Sequence, residues 1–252
     1  MKTIAVIIDF DNFFGTDINR INSESLEFAF SEIVNLCEIK FKEFERISIR
    51  LYGGWYNEMS LTKQASSLQQ LLYNVSVFPK VQNGKIIHGT IEMISELYGV
   101  PDFTWGYTYK ESNGIKHVRI DFDNVDEICS NNRQTCPKFI LYKFTKSKEK
   151  TCPVEGCNSI HKNIFKGVEQ KMVDTLIACD ILTIAEDEVT KGMVIISDDQ
   201  DHFPSLALAI EKQKAKQIRN LDDIYLVIQN DLKIEFITEF LKPFQIKTIL
   251  LS

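Results

Sequence analysis

Three observations predict an α/β protein built on a parallel sheet flanked by helices. Apolar runs that read as strands alternate along the chain with segments of helical period, an order that stacks helices on both faces of one sheet. The runs Ile4–Ile8 and Met193–Ile196 are continuous rather than alternating, as expected of strands covered on both faces. The 252 residues, 44% apolar and 25% charged, suit one sizeable domain spanning 1–252 that carries an insertion at roughly 101–165.

The elements follow in order. After Ile4–Ile8, the residues Leu26, Phe30, Ile33, Val34, Cys37 and Phe41 recur at helical spacing. In "RISIRLYGGW", Ile47, Ile49 and Leu51 alternate as in a strand that closes at Gly53-Gly54. A helix around 58–72 and a strand at Val75–Phe78 continue the alternation. The rhythm then breaks. "FTWGYTYKESNGIKHVRIDF" reads as a hairpin turning at Asn113-Gly114, a pair suited to positive φ. Helix–strand order resumes with "KMVDTLIACDILTIA", the strand 193–196, a helix from Pro204 and a strand Ile224–Ile228. A helix at 232–241 and an apolar tail complete the chain.

With 35 acidic and 29 basic side chains the net charge is −6, which disfavours a diffuse polyanion-binding surface. No apolar run reaches the length of a membrane span and the amino end lacks a secretory pattern, so a cytoplasmic protein without membrane association is expected. Six cysteines in such a protein point to thiols or a metal rather than disulfides.

Two apolar strands end in clusters of acids. "VIIDFDN" supplies Asp9, Asp11 and Asn12, and "VIISDDQD" supplies Ser197, Asp198, Asp199 and Asp201. In an open parallel sheet, ligands bind beyond these carboxyl ends. If the chain stays extended, Asp9 with Asp11, and Asp199 with Asp201, share a face, and Asp198 points away. On the helix "KMVDTLIACD", Asp174 and Asp180 are six residues apart, about 240° around the axis, so one site takes only one of them. Asp174 is the expected member. Carboxylates converging from separate elements repel, and hard oxygen donors suit Mg²⁺ or Mn²⁺. Aspartates after strands also serve as helix caps, the plainer use of any single cluster.

"IAVIIDFDN", "KMVDTLIACDIL" and "VIISDDQDHFPSL", in this order, resemble the three motifs of NYN domains in the PIN-like nuclease superfamily. The resemblance implies a PIN-like parallel sheet and a metal-dependent ribonuclease. Asp9, Asp174, Asp199 and Asp201 would be catalytic metal ligands for Mg²⁺ or Mn²⁺, with Asn12 and Ser197 positioning substrate. A prokaryotic toxin or phage-defence setting fits the family. The sequence departs from the motif at Asp198, usually glycine, and at His202, usually phenylalanine. His202 is readable as a proton shuttle or as a packing residue.

Within the insertion, Cys129, Cys136, Cys152 and Cys157 form two ligand pairs expected to hold structural zinc, with His161 as a substitute ligand. Cys37 and Cys179 fall on apolar helix faces and are expected in the core. From Cys129 to Lys171, nine basic residues face three glutamates, an island able to bind an RNA backbone or simply to be solvated. Lys212, Lys214, Lys216 and Arg219 form a smaller cluster of the same kind. Trp105, Tyr107 and Tyr109 share a face of the predicted hairpin, where they would pack across strands or stack bases. The insertion would thus select RNA or contact a second copy or a partner protein. Two rival readings stand. Asp9-Phe10-Asp11 after a strand imitates the nucleophile motif of haloacid-dehalogenase-type phosphatases, and a degenerate site would leave a non-catalytic RNA-binding or scaffold protein.

Overall fold

The computed structural model describes residues 1–82, 84–113, 136–145, 151–152, 155–216 and 223–251. They fall into two compact units, one formed by Met1–Thr108 with Gln170–Ser252 and the other by Tyr109–Glu169.

In the larger unit the strands are β1 (Thr3–Asp9), β2 (Arg46–Tyr52), β3 (Tyr56–Asn57), β4 (Ser60–Leu61), β5 (Lys80–Gln82), β6 (Lys85–Met93), β7 (Glu96–Leu97) and β8 (Val100–Thr104). The smaller unit contains β9 (Tyr109–Asn113) and most of β10 (Lys166–Gln170); β11 (Thr190–Ile196), β12 (Asp223–Ile228) and β13 (Lys247–Leu250) follow. The helices, in chain order, are α1 (Phe10–Phe14), α2 (Ser23–Lys40), α3 (Lys63–Tyr73), α4 (Pro137–Thr145), α5 (His161–Ile164), α6 (Val173–Ile184), α7 (Phe203–Lys216) and α8 (Asp231–Leu241).

The central sheet has seven strands in the order β13-β12-β11-β1-β2-β6-β5. All pairs are parallel except β5 on β6, so the expected mostly parallel sheet flanked by helices is present. The chain builds outward from β1 through β2 and β6, then returns to build outward on the other side through β11, β12 and β13. The strand order therefore reverses between β1 and β11, and such a reversal opens a crevice at the carboxyl ends of those two strands.

Period-two alternation divides the strands between two cores. Ile4, Val6 and Ile8 of β1, with Ile47, Ile49 and Leu51 of β2, pack beneath α2 and α3. Ala5 and Ile7, with Met193, Ile195 and Leu226, pack beneath α6, α7 and α8. Asp9 follows Ile7 at the same period, which aims its side chain at the α6–α7 side of the sheet. In β11, Gly192 lets the Phe41 ring close onto the strand, since a Cβ there would lie 2.2 Å from a ring carbon.

Several elements differ from the sequence reading. The third helix starts at Lys63, capped by Thr62 Oγ1 accepting from the Ala65 amide at 3.1 Å, and residues 56–61 form the small β3–β4 hairpin. Val75–Phe78 is no strand. The strand is β6, whose mixed sequence "KIIHGTIEM" hides it because most of its side chains are only partly covered. Phe78 packs over β6 at Gly89, where a Cβ would meet the ring at 2.4 Å.

The predicted hairpin is also redistributed. β8 pairs with β7 and β9 pairs with β10; Gly114 to Phe122 lie outside the described residues. Trp105 and Tyr107 belong to no strand, so they share no strand face with Tyr109. Trp105 packs against the α6-side core and makes an edge contact with Phe103, whereas Tyr107 is exposed. Cys37 is in the core as expected, and burial pushes its thiol up to about 12; Cys179 is only half-buried. No helix among the described residues is long and apolar enough to cross a membrane.

Candidate metal centre

The crevice between β1 and β11 collects the acids. Asp9, the last residue of β1, caps α1 by accepting the Asn12 amide on Oδ1 at 3.3 Å. Its other oxygen, Oδ2, lies 3.9 Å from His202 Nε2. Asp174 stands in the first turn of α6. One ligand atom each from Asp9, Asp174 and His202 lie within 4.8 Å of one another, and this is the only group of three or more such residues so arranged among the described residues. A metal ion can be held there.

Asp199 is half-buried and Asp201 is exposed. Asp199 accepts the Asp201 amide at 3.0 Å, and its own amide donates to Ser197 Oγ at 3.1 Å. Burial first, then Asp9, Asp199 and Asp201, push the Asp174 carboxyl above its ordinary range, against an opposing effect of His202. Asp9, Asp199, Asp201 and His202 thus all act electrostatically on Asp174, while only Asp9, Asp174 and His202 bring ligand atoms within 4.8 Å of one another. Among the described residues no lysine or arginine forms an ion pair with Asp9, Asp174, Asp199 or Asp201.

The loops that carry these acids are fastened to each other. Asn12 Oδ1 accepts the Asp198 amide at 2.8 Å, joining the end of β1 to the end of β11. Asp198 points away, as expected, and its Oδ1 accepts the Gln229 and Asn230 amides at 2.8 and 3.4 Å. Ser197 is buried and faces its own loop. Asp11 accepts from Gln64 Nε2 at 2.8 Å and from Gln170 Nε2. Burial, only partly offset by Gln64, raises its carboxyl above the ordinary range, and Asp9 adds to the rise. Two glutamine amides thus hold Asp11 in a role that sequence reasoning did not assign to Gln64 or Gln170.

The choice between the two acids of α6 is resolved by packing. Asp180 is fully buried and takes Arg50 Nη2 at 2.7 Å, the Tyr52 hydroxyl at 2.5 Å and the Tyr98 amide at 2.7 Å. Arg50 and Tyr52 are two residues apart on β2 and so share the face that α6 covers. Burial drives the Tyr52 hydroxyl well above its ordinary value. Asp180 is a structural anion, and Asp174 alone is left for the crevice.

His202 was readable in the sequence as a shuttle or a packing residue; the structure adds a third use. The side chain is fully buried, yet neither ring nitrogen has a hydrogen-bond partner among the described residues. A buried polar group without a partner costs about 1–3 kcal/mol.

The cysteines expected to hold zinc are described only in part. Cys136 stands in a disulfide and so offers no thiolate, Cys129 lies outside the described residues, and Cys152 and Cys157 are free thiols. The Ser159 hydroxyl, 3.4 Å from Cys157 Sγ, then the Ser159 amide and Cys152, hold the Cys157 thiol below its ordinary value. His161 is buried among Phe144 and Phe165. In the smaller basic cluster, Lys212 pairs with Glu186 at 3.1 Å and Lys214 with Glu211 at 2.8 Å, while Arg219 lies outside the described residues.

Comparison of the chain with protein-family models, curated proteins and solved structures finds no match.

Proposed function

We propose that this protein is a divalent-metal-dependent ribonuclease of the NYN, PIN-like kind. The observation that carries the reading is the meeting of Asp9, Asp174 and His202 at the reversal point of the sheet, where no lysine or arginine among the described residues pairs with the acids. In the sequence Asp9 and Asp174 are separated by 165 positions, and acids so gathered need a cation to offset their repulsion. Asp9 and Asp174, with Asp199 and Asp201 at the rim, would hold Mg²⁺ or Mn²⁺. Such an ion, when bound, polarises a phosphodiester and lowers the pKa of a water.

The chain's own residues then divide the work. Asp9 is fixed by its cap hydrogen bond, so only Oδ2 turns into the crevice. Asp199 is fixed in the same way by the Asp201 amide, and Asp201 is exposed. Asn12 uses its carbonyl oxygen to fasten the β11 loop, which leaves its amide nitrogen to donate to a phosphate oxygen. Ser197 supports the Asp199 backbone rather than reaching outward. Against the phosphatase reading, the Asp11 carboxylate accepts from two glutamine amides.

The test is cleavage of end-labelled single-stranded RNA by purified protein with Mn²⁺. Removing one metal-holding acid as Asp9→Asn, Asp174→Asn or Asp199→Asn is expected to lower the rate at least about 100-fold, the scale on which active-site electrostatic groups act. Unchanged cleavage by all three variants would refute the site.

A further inference from the structure

We propose that His202 is itself a metal ligand, and that its nitrogen makes the centre select Mn²⁺ over Mg²⁺. The inference rests on the cation site of the preceding reading and adds an imidazole to it. His202 is fully buried with both nitrogens lacking a hydrogen-bond partner among the described residues, and Nε2 faces Asp9 Oδ2.

The separation is informative. At 3.9 Å the two atoms are too far apart for a direct hydrogen bond, which needs about 2.7–3.2 Å. Two atoms bound to one ion at about 2.0–2.2 Å each lie roughly 3 Å apart when adjacent and a little over 4 Å when opposed. The Asp9–His202 spacing falls inside that interval. Asp174 brings a third atom within 4.8 Å of both, so a modest contraction closes three ligands on one ion.

The chemistry of the donor set then discriminates between ions. Mg²⁺ demands oxygen and parts reluctantly with its waters, whereas imidazole nitrogen suits first-row transition ions. Mn²⁺ accepts both the two carboxylates and the nitrogen, and the rim acids suit its oxygen preference. A nitrogen buried beside the acids therefore adds affinity for Mn²⁺ that Mg²⁺ does not share.

The experiment uses the full chain stripped with EDTA and then loaded with Mn²⁺ alone. Pulsed electron paramagnetic resonance is expected to show a directly coordinated ¹⁴N, lost in His202→Phe and in His202→Gln; two variants guard against one failing to fold. Mn²⁺ affinity is expected to fall about 10–100-fold in these variants while Mg²⁺ affinity changes little. Wild-type protein without nitrogen coupling, or variants that keep the Mn²⁺-to-Mg²⁺ ratio, would overturn the role of His202. If Mn²⁺ binding is abolished by Asp9→Asn in that case, the cation site stands without its histidine. Undiminished binding in Asp9→Asn would remove the site and the nuclease reading together.

Discussion

Replacing Asp180 by Ala tests the division of labour along α6. The change leaves the Arg50 guanidinium, 8% exposed, without the carboxylate 2.7 Å away, and strips the Tyr52 hydroxyl and the Tyr98 amide of their acceptor. Breaking a buried pair by removing one partner costs about 3–5 kcal/mol. For a protein of this size each kcal/mol lowers the melting temperature by roughly 2–4 °C, so a loss of about 6–20 °C is expected. Asp174→Asn, six residues earlier on the same helix, is expected to be neutral or to stabilise the metal-free protein by up to about 1 kcal/mol, because it removes a charge from a repelling cluster. Urea denaturation of metal-free proteins at pH 7 reads both numbers. The double variant Arg50→Met with Asp180→Leu is expected to recover only part of the loss, since apolar residues commonly replace a buried ion pair without penalty but the Tyr52 hydroxyl and the Tyr98 amide stay without their acceptor. The reasoning fails if Asp180→Ala costs less than about 1 kcal/mol or if Asp174→Asn costs as much as Asp180→Ala.

Two further outcomes are expected. Asp11 and Asp174 have carboxyls raised above 3.8 in the folded protein, so the native state holds their protons more tightly than the unfolded chain does. Their contribution is most favourable below that value and is lost as pH rises through the raised values; urea midpoints in EDTA should therefore show Asp11→Asn/Asp174→Asn gaining on wild type from about pH 4 upward and levelling off toward neutrality. In β11, Gly192→Ala places a methyl 2.2 Å from the Phe41 ring and is expected to cost about 1–3 kcal/mol by overpacking, read in the same assay.

Legibility in the sequence followed the strength of the local pattern. β1, β11 and β12 carry apolar runs buried on both faces and β2 alternates cleanly at Ile47, Ile49 and Leu51, so their positions were readable because nothing competes with those patterns. β6 was not readable: Lys85, His88 and Glu92 interrupt it, and its burial comes from Phe78 and from pairing with β2. The acids at the ends of β1 and β11 were legible as a site because chain ends and sheet topology are linked. Asp174 and Asp180 were separable by helical angle, but the reason for Asp180 lay in Arg50, 130 residues away. His202 looked ambiguous because burial without a partner is a property of packing that no sequence neighbour reveals. Spacing does not state oxidation: Cys136, a candidate zinc ligand by spacing, is in a disulfide, and Cys129 lies outside the described residues.

The shared ion is tested most directly by crystals of the protein soaked in Mn²⁺ and measured for anomalous scattering. The account predicts a peak enclosed by the Asp9 and Asp174 carboxylates with the His202 ring on its inner side. Ordered side chains at these three positions with no peak between them would contradict it.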